Sequence, residues 1–288
     1  MGDRIFDAIV YAILVVVFLI VFFPLMYVVS TSFASARELA LNKFLIFPKH
    51  PTLEVYQYIF STSTFLRSMI VTIVITVVGT LVNLVMTCLM AYPLSRKALP
   101  GRSVIMTAVT FTLVFSGGMI PMYLTVQQLH IYNTTWAMVL PVAVSAYNLI
   151  VCRSFFESGI PVELLEAAKI DGCSDFGFFF KIAIPLSKTI IAVMCLFYAT
   201  AMWNQFFNAL MFLQDDSKMP LQVVLRNLVL MNQSNQMGSS ASEMVTKQKL
   251  AEQLKYCVVV VSAFPLLCVY PFLQKYFAKG VTIGAVKG

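Results

Sequence analysis

Five stretches without a single charged residue organise this chain, and short charged segments separate them. Asp, Glu, Lys and Arg are absent from Ala8 to Ala36, Ser68 to Ser95, Ser103 to Cys152, Thr189 to Gln214 and Tyr256 to Gln274. A helix that crosses a hydrocarbon core of roughly 30 Å needs about 20 mostly apolar residues. Four of the windows hold one such span each. The window from Ser103 to Cys152 is too long for one helix, and Ser116-Gly117-Gly118, Pro121 and Gln127-Gln128-Leu129-His130 punctuate it. It reads as two spans. The pattern therefore predicts six transmembrane helices, at about 8–31, 68–95, 104–123, 135–152, 189–212 and 256–276.

The first window has some marks of a secretory signal, since Arg4 precedes it and Ala34-Ser35-Ala36 resembles a cleavage site. The apolar run from Ala8 to Val29 is longer than a signal core, and Asp3 and Asp7 dilute its basic end. It is expected to stay as a membrane helix. Orientation follows from Lys and Arg in the short loops, which stay on the cytoplasmic side. Arg96, Lys97 and Arg102 follow the second span, whereas Leu124 to Thr134 holds neither residue type. Both termini are then expected in the cytoplasm, consistent with Lys275, Lys279 and Lys287, and Ser32–Arg67 and Leu213–Lys255 fall outside.

Composition agrees with this reading. Of 288 residues, 59% are hydrophobic and 11% charged, where a soluble domain carries about 25% charged residues. That excludes an ordinary soluble enzyme, a disordered protein and a nucleic-acid binder, so the net charge of +7 has another origin. None of the six cysteines lies in a predicted external loop, and no disulfide framework is indicated. His50 and His130 stand alone, which leaves metal binding without support.

The central stretches of the spans carry no ionisable side chain, although ion-driven transporters generally place such groups there. Sodium sites built from backbone carbonyls of broken helices stay open. The phosphate-binding Gly-rich loop ending in Gly-Lys-Ser/Thr is also missing. If this chain moves a solute uphill, another subunit supplies the energy. Uncharged polar residues do occur in the spans: Asn83, Tyr147 and Asn148, then Trp203, Asn204, Gln205 and Asn208. On one continuous helix, Asn204 and Asn208 would share a face. Two readings stand side by side, interhelical hydrogen bonding and a polar pathway for a neutral, hydroxyl-rich solute. Ser116 to Pro121 is equally double-edged, as the end of the third span or as a broken helix facing a pore.

The segment from Arg153 to Lys188 holds most of the remaining signal. Pro161 suits a first helical turn, and Val162 to Ile170 favours helix with Glu163 near its positive end. Gly172 supplies a left-handed stop, and Ser174 caps a second short helix expected to end before Pro185. Leu164, Leu165 and Ala168 are expected to pack the first arm, and Phe176 to Phe180 to anchor the second. The result is a rigid bracket at the membrane's inner face.

Here the residues resemble a known family. Glu166-Ala167-Ala168, three residues, Gly172, nine residues and Ile182-Ala183-Ile184-Pro185 resemble the EAA loop of ABC importer permeases, with Ile184 where Leu is usual. Asp171 and Trp203-Asn204-Gln205-Phe206 look like the sugar-importer branch, as does the tail from Lys279 to Gly288. Phe115-Ser116-Gly117-Gly118-Met119-Ile120-Pro121 resembles the oligosaccharide and polysaccharide subgroup, of the aldouronate and alginate type.

The resemblance implies an all-α polytopic membrane protein of the type I ABC importer fold. Residues 1–288 would form one transmembrane domain, with a cytoplasmic coupling loop at 153–188 and an external loop at 213–255. It implies a non-enzymatic permease in a bacterial cell membrane. Its partners would be a second permease, two ATP-binding subunits and an extracytoplasmic solute-binding protein, with a sugar as cargo. This chain would bind no cofactor, the partner ATPases using ATP and Mg. By the same resemblance, Glu166, Ala167, Ala168, Asp171 and Gly172 form the ATPase-coupling site. Substrate-pathway candidates are Asn83, Tyr147, Asn148, Trp203, Asn204 and Asn208. The external loop would probe the binding protein, its plainer reading being a flexible polar linker. The alternatives are the same importer build serving a non-sugar solute and an autonomous secondary transporter.

Overall fold

The computed structural model describes residues 2–35, 38–39, 46–234, 253–268, 270–271 and 274. Every regular element among them is helical. The helices are α1 (Gly2–Phe33), α2 (Glu54–Ser61), α3 (Ser63–Ser95), α4 (Arg102–Val114), α5 (Met119–Gln128), α6 (Thr135–Val139) and α7 (Ala146–Gly159). They continue with α8 (Val162–Ile170), α9 (Asp175–Phe178), α10 (Lys188–Trp203), α11 (Phe207–Phe212), α12 (Leu221–Ser234) and α13 (Gln253–Cys268).

Among the described residues, only α1 and α3 are long and apolar enough to cross a membrane unaided. The predicted third, fourth and fifth spans are each interrupted. The third is α4 and α5, bent by 119° at Phe115–Gly118. Gly118 takes φ +84° there, and Pro121 sits in the first turn of α5, where its missing N–H breaks no ladder. A second helix follows the break at this sharp angle, as in a broken span or a re-entrant loop. The fourth predicted span is α6, a 3₁₀ turn at Leu140–Val142 and α7, bent by 55°. The fifth breaks at Asn204–Phe206 between α10 and α11, so Asn204 and Asn208 do not share one helical face. Parts of the predicted sixth span, the tail from Phe277 and most of Leu213–Lys255 lie outside the described residues. The described part of that long segment includes the helix α12, which a flexible linker would not form.

One compact unit comprises residues 1–66 and 224–265. Its α1 buries nothing along its most apolar stretch. The far end is tied down instead. Tyr56 donates to Ser32 Oγ at 2.7 Å, and Gln253 Nε2 and Cys257 Sγ both reach the Ser32 carbonyl. Tyr27 packs edge-on against Tyr256, and burial raises the Tyr56 phenol above its ordinary range.

The second unit, 67–223 and 266–288, contains most of α3 and the elements from α4 to α11. Its α3 is arranged inside out. Ile70, Val77, Leu81 and Val85 are exposed, while Ser68, Thr72, Thr80, Asn83 and Thr87 are buried. Exposed apolar and buried polar groups suit a helix whose outer face meets lipid and whose inner face meets neighbouring helices. At the Arg-rich end of α3, Tyr92 packs with Phe156, Phe178 and Phe179 from the elements around it. Toward the opposite end, Ile75, Met138, Ala209, Leu213 and Val223 form a separate core. Thr72 Oγ1 accepts there from Leu221 N at 2.7 Å. Asn133 secures the same region in a left-handed turn at φ 57°. Its Oδ1 accepts from the backbone N–H groups of Gln214 and Asp215, and Lys218 Nζ donates to its carbonyl.

Candidate functional site

The two interruptions in α6–α7 and α10–α11 open a cavity of about 370 Å³ against α3. That lies within the range of about 300–1,000 Å³ typical of small-molecule sites. Asn83, Asn148, Asn204 and Asn208 all line it, together with Ser145, Tyr198 and Gln205. Aromatic surface comes from Phe206 and Phe207, and no charged side chain among the described residues contributes to the wall. Each polar group is placed by a local cause. Ser145 caps α7, accepting from Asn148 N, which turns the first residues of that helix toward the cavity. Asn204 ends α10 with its amide donated to Thr200 O, while Gln205 in the break donates to Met138 O at 3.0 Å. Tyr198 is held by Thr87 at 2.6 Å and by Ser145 N at 3.3 Å.

Asn83 is different. It is 0% exposed, and neither its Oδ1 nor its Nδ2 has a hydrogen-bond partner among the described residues. Thr80 and Thr76, one and two turns before it on α3, also carry buried hydroxyls without a partner among the described residues. A buried unsatisfied polar group costs about 1–3 kcal/mol. A stripe of them, ending at an amide packed behind the cavity wall, is costly as interhelical glue.

Two of the six predicted pathway residues lie elsewhere. Tyr147 is 57% exposed, because successive helical residues diverge by about 100° and Asn148 takes the inward direction. Trp203 is buried but does not line the cavity. Tyr198 and Ser145 were missed, and the Ser-x-x-Asn pattern of an N-cap inside an apolar run was the available signal for Ser145. A second groove of about 240 Å³ is lined by Leu84, Cys88, Phe179 and other apolar side chains, and it offers a hydroxyl nothing to bond.

At the Arg-rich end, the bracket expected over 153–188 has a defined shape. Helix α8 ends in a Schellman motif, with Gly172 N bonded to Lys169 O and Cys173 N to Ala168 O. Gly172 takes φ +77°, and a Cβ there would meet nothing within 4 Å. Ser174 accepts from Gly177 N and starts α9. The second arm does not stop before Pro185. A π-helical stretch at Phe179–Ala183 resets the ladder, and Pro185 enters the first turn of the resumed helix at Ile184–Leu186. The arm then bends by 80° into α10. Glu166, Ala167, Asp171 and Gly172 are exposed, whereas Ala168 is buried and seats α8 on its own core. Leu165 packs there too, but Leu164 is exposed; Phe178 and Phe179 anchor the second arm, while Phe176 and Phe180 face outward.

Charges brace the helices next to the bracket. Glu157 takes Arg102 on one carboxylate oxygen and Arg153 on the other, both at 2.6 Å, and Arg153 Nε also reaches Leu94 O. The hydrogen bond from Arg102 is the main reason the Glu157 carboxyl lies below its usual range, and the charge of Arg153 adds to it. The stabilising contribution is complete above the ordinary carboxylate range and is lost as pH falls through the lowered value. Glu157→Gln is expected to cost about 1 kcal/mol. Melting of the solubilised protein from pH 7 to about pH 2 checks this, because the variant should lose less stability than the wild type as pH falls below the ordinary carboxylate range.

No family model matches the chain. The chain is 49% identical over 265 residues to Protein LplC of Bacillus subtilis (strain 168), covering 92% of this chain and 89% of that one. It is 45% identical over 289 residues to the polygalacturonan/rhamnogalacturonan transport system permease protein YtcP of the same organism, covering 100% of both. It belongs to the ABC transporter permease family. A chain in the crystal structure of a bacterial ABC transporter involved in the import of the acidic polysaccharide alginate superimposes with a TM-score of 0.84 at 30% identity. That superposition covers 96% of this chain and 98% of the other. The ABC permease is therefore a membrane-embedded transport subunit of an import system, and its helical architecture is that of its relatives.

Proposed function

We propose that this permease forms one half of the pathway for an oligosaccharide or polysaccharide, driven by ATPase subunits that dock on the bracket. The uncharged, amide-rich cavity carries the reading. Amides donate and accept, as sugar hydroxyls require, and Phe206 and Phe207 offer apolar faces to a sugar ring. YtcP and the alginate importer are named for carbohydrate polymers, which supports the same substrate class.

In this reading the chain is a single domain with six spans, three of them bent. The Arg-rich end and both termini lie in the cytoplasm, following the positive-inside rule. Exposed Glu166, Ala167, Asp171 and Gly172 meet the ATPase, and Ala168 holds the helix that presents them. The second permease completes the cavity, and an extracytoplasmic binding protein delivers solute near 213–255. Hydrolysis of ATP with Mg belongs to the two partner ATPases, and this chain holds no cofactor of its own. A ligand panel on the cognate binding protein, followed by uptake assays, tests the substrate class. Oligosaccharides should bind and be imported; selective binding of amino acids or peptides would contradict the proposal.

A further inference from the structure

Arg96 was read above only as one of the positive charges that orient the membrane, and its surroundings give it a second role. It follows directly on α3. Its Nη1 donates to Ile160 O at 3.4 Å, the carbonyl just before Pro161 and α8. Its guanidinium also lies 5.9 Å from the centroid of the Phe178 ring, at the far side of the bracket, and 4.8 Å from that of Tyr92 on α3. One side chain thus touches both the entry to the bracket and its exit. Tyr92 reinforces the grip, with its ring 5.8 Å from Phe156, 6.4 Å from Phe178 and 5.0 Å from Phe179.

Two further observations bear on what this grip does. First, Arg96 Nε and Nη2 are buried and have no acceptor among the described residues. Buried donors are seldom left unpaired, and a guanidinium with donors in reserve can exchange acceptors while keeping its stacking. Second, Arg96 adjoins the end of α3, which continues from Ser95 through Pro93 in its last turn to Asn83 on the cavity wall, about 20 Å at the helical rise.

We propose that Arg96 is the positioning residue that transmits displacement of the bracket to α3, and so to the cavity. This rests on the reading of the bracket as the ATPase-docking element. When the bracket is pushed, Ile160 and Phe178 move together, and Arg96 passes that motion to the end of a rigid helix. The spare donors let it take new acceptors at the end of the stroke. A surface lysine or arginine whose only task was orientation would need neither aromatic faces nor a buried fork.

The test uses the complete importer, purified through a tag on an ATPase subunit and reconstituted with its binding protein. The readout is solute imported per ATP hydrolysed. Arg96→Met should retain the ATPase subunits and the wild-type melting temperature, while import per ATP falls about tenfold, within the range of couplings between distant sites. Arg96→Lys keeps the charge and loses the planar face, so its loss should be smaller. It also provides the answer if the Met variant fails to accumulate. Phe178→Leu should uncouple by itself, and the double variant with Arg96→Met should be no worse than the poorer single one.

Wild-type import per ATP in both Arg96 variants, or additive losses in the double variant, would overturn the proposal. Gly172→Pro, assayed alongside, separates the two levels of inference. If it uncouples and Arg96→Met does not, only the role of Arg96 fails. If neither uncouples, the bracket reading fails with it.

Discussion

A Gly172→Pro permease is expected to reach the membrane and to assemble with its partner permease, yet to import solute about a hundredfold more slowly than the wild type, at the upper end of couplings between sites. The cause is local. Gly172 stands at φ +77°, and proline is locked near −65°. Proline also removes the N–H that bonds Lys169 O, one of the two bonds of the Schellman motif. The turn between α8 and α9 then cannot close, and exposed Glu166 and Ala167 lose their defined position. The spans are untouched, because a Cβ at position 172 meets nothing within 4 Å. Substitutions should therefore rank by backbone conformation and not by size. Asn, which tolerates the left-handed region, should be close to the wild type. Ala, at a strain of roughly 1–2 kcal/mol, should be intermediate. ATP-driven uptake into reconstituted vesicles, with ATPase retention scored beside it, provides the measurement. Wild-type uptake by Gly172→Pro would remove the bracket from the coupling mechanism.

The bracket was the most legible part of the chain, because its determinants are short-range. Gly172 as a left-handed stop and Ser174 as an N-cap act within a few residues, and both appear where those residue types demand. Pro185 misled because its usual effect was cancelled by a π-helical stretch, whose cause lies in packing around Phe178 and Phe179. The apolar windows located the membrane helices but could not show their interruptions. Gly117-Gly118 announced one break, but those at Ala143–Ser145 and Asn204–Phe206 contain no glycine. For that reason Asn204 and Asn208 were assigned to one helical face, although they reach the same cavity from opposite sides of a break. Tyr147 and Asn148 could not be ranked from sequence, since the choice depends on how α7 is rotated. The missing partners of Asn83 and Arg96 are invisible in sequence, because an unpaired group is defined by everything around it.

Replacing Asn83 by leucine separates the two readings of the polar residues, with opposite signs. If Asn83 were interhelical glue, its loss would destabilise the permease by about 0.6 kcal/mol, the average for such contacts in membranes. Among the described residues it has no partner to lose. Leucine, of similar size, removes two unsatisfied polar atoms, each costing about 1–3 kcal/mol when buried, so the melting temperature should hold or rise. Import should nevertheless fall about tenfold or more, because a cavity site built around a polar contact discriminates strongly once that contact is gone. Gain of stability with loss of transport is the signature of a functional polar group. The deciding measurement is oligosaccharide uptake and thermal melting of the complete importer carrying Asn83→Leu. Reduced uptake at equal or higher melting temperature is the predicted result, whereas wild-type uptake with a lowered melting temperature would show that the cavity is structural and that the solute passes elsewhere.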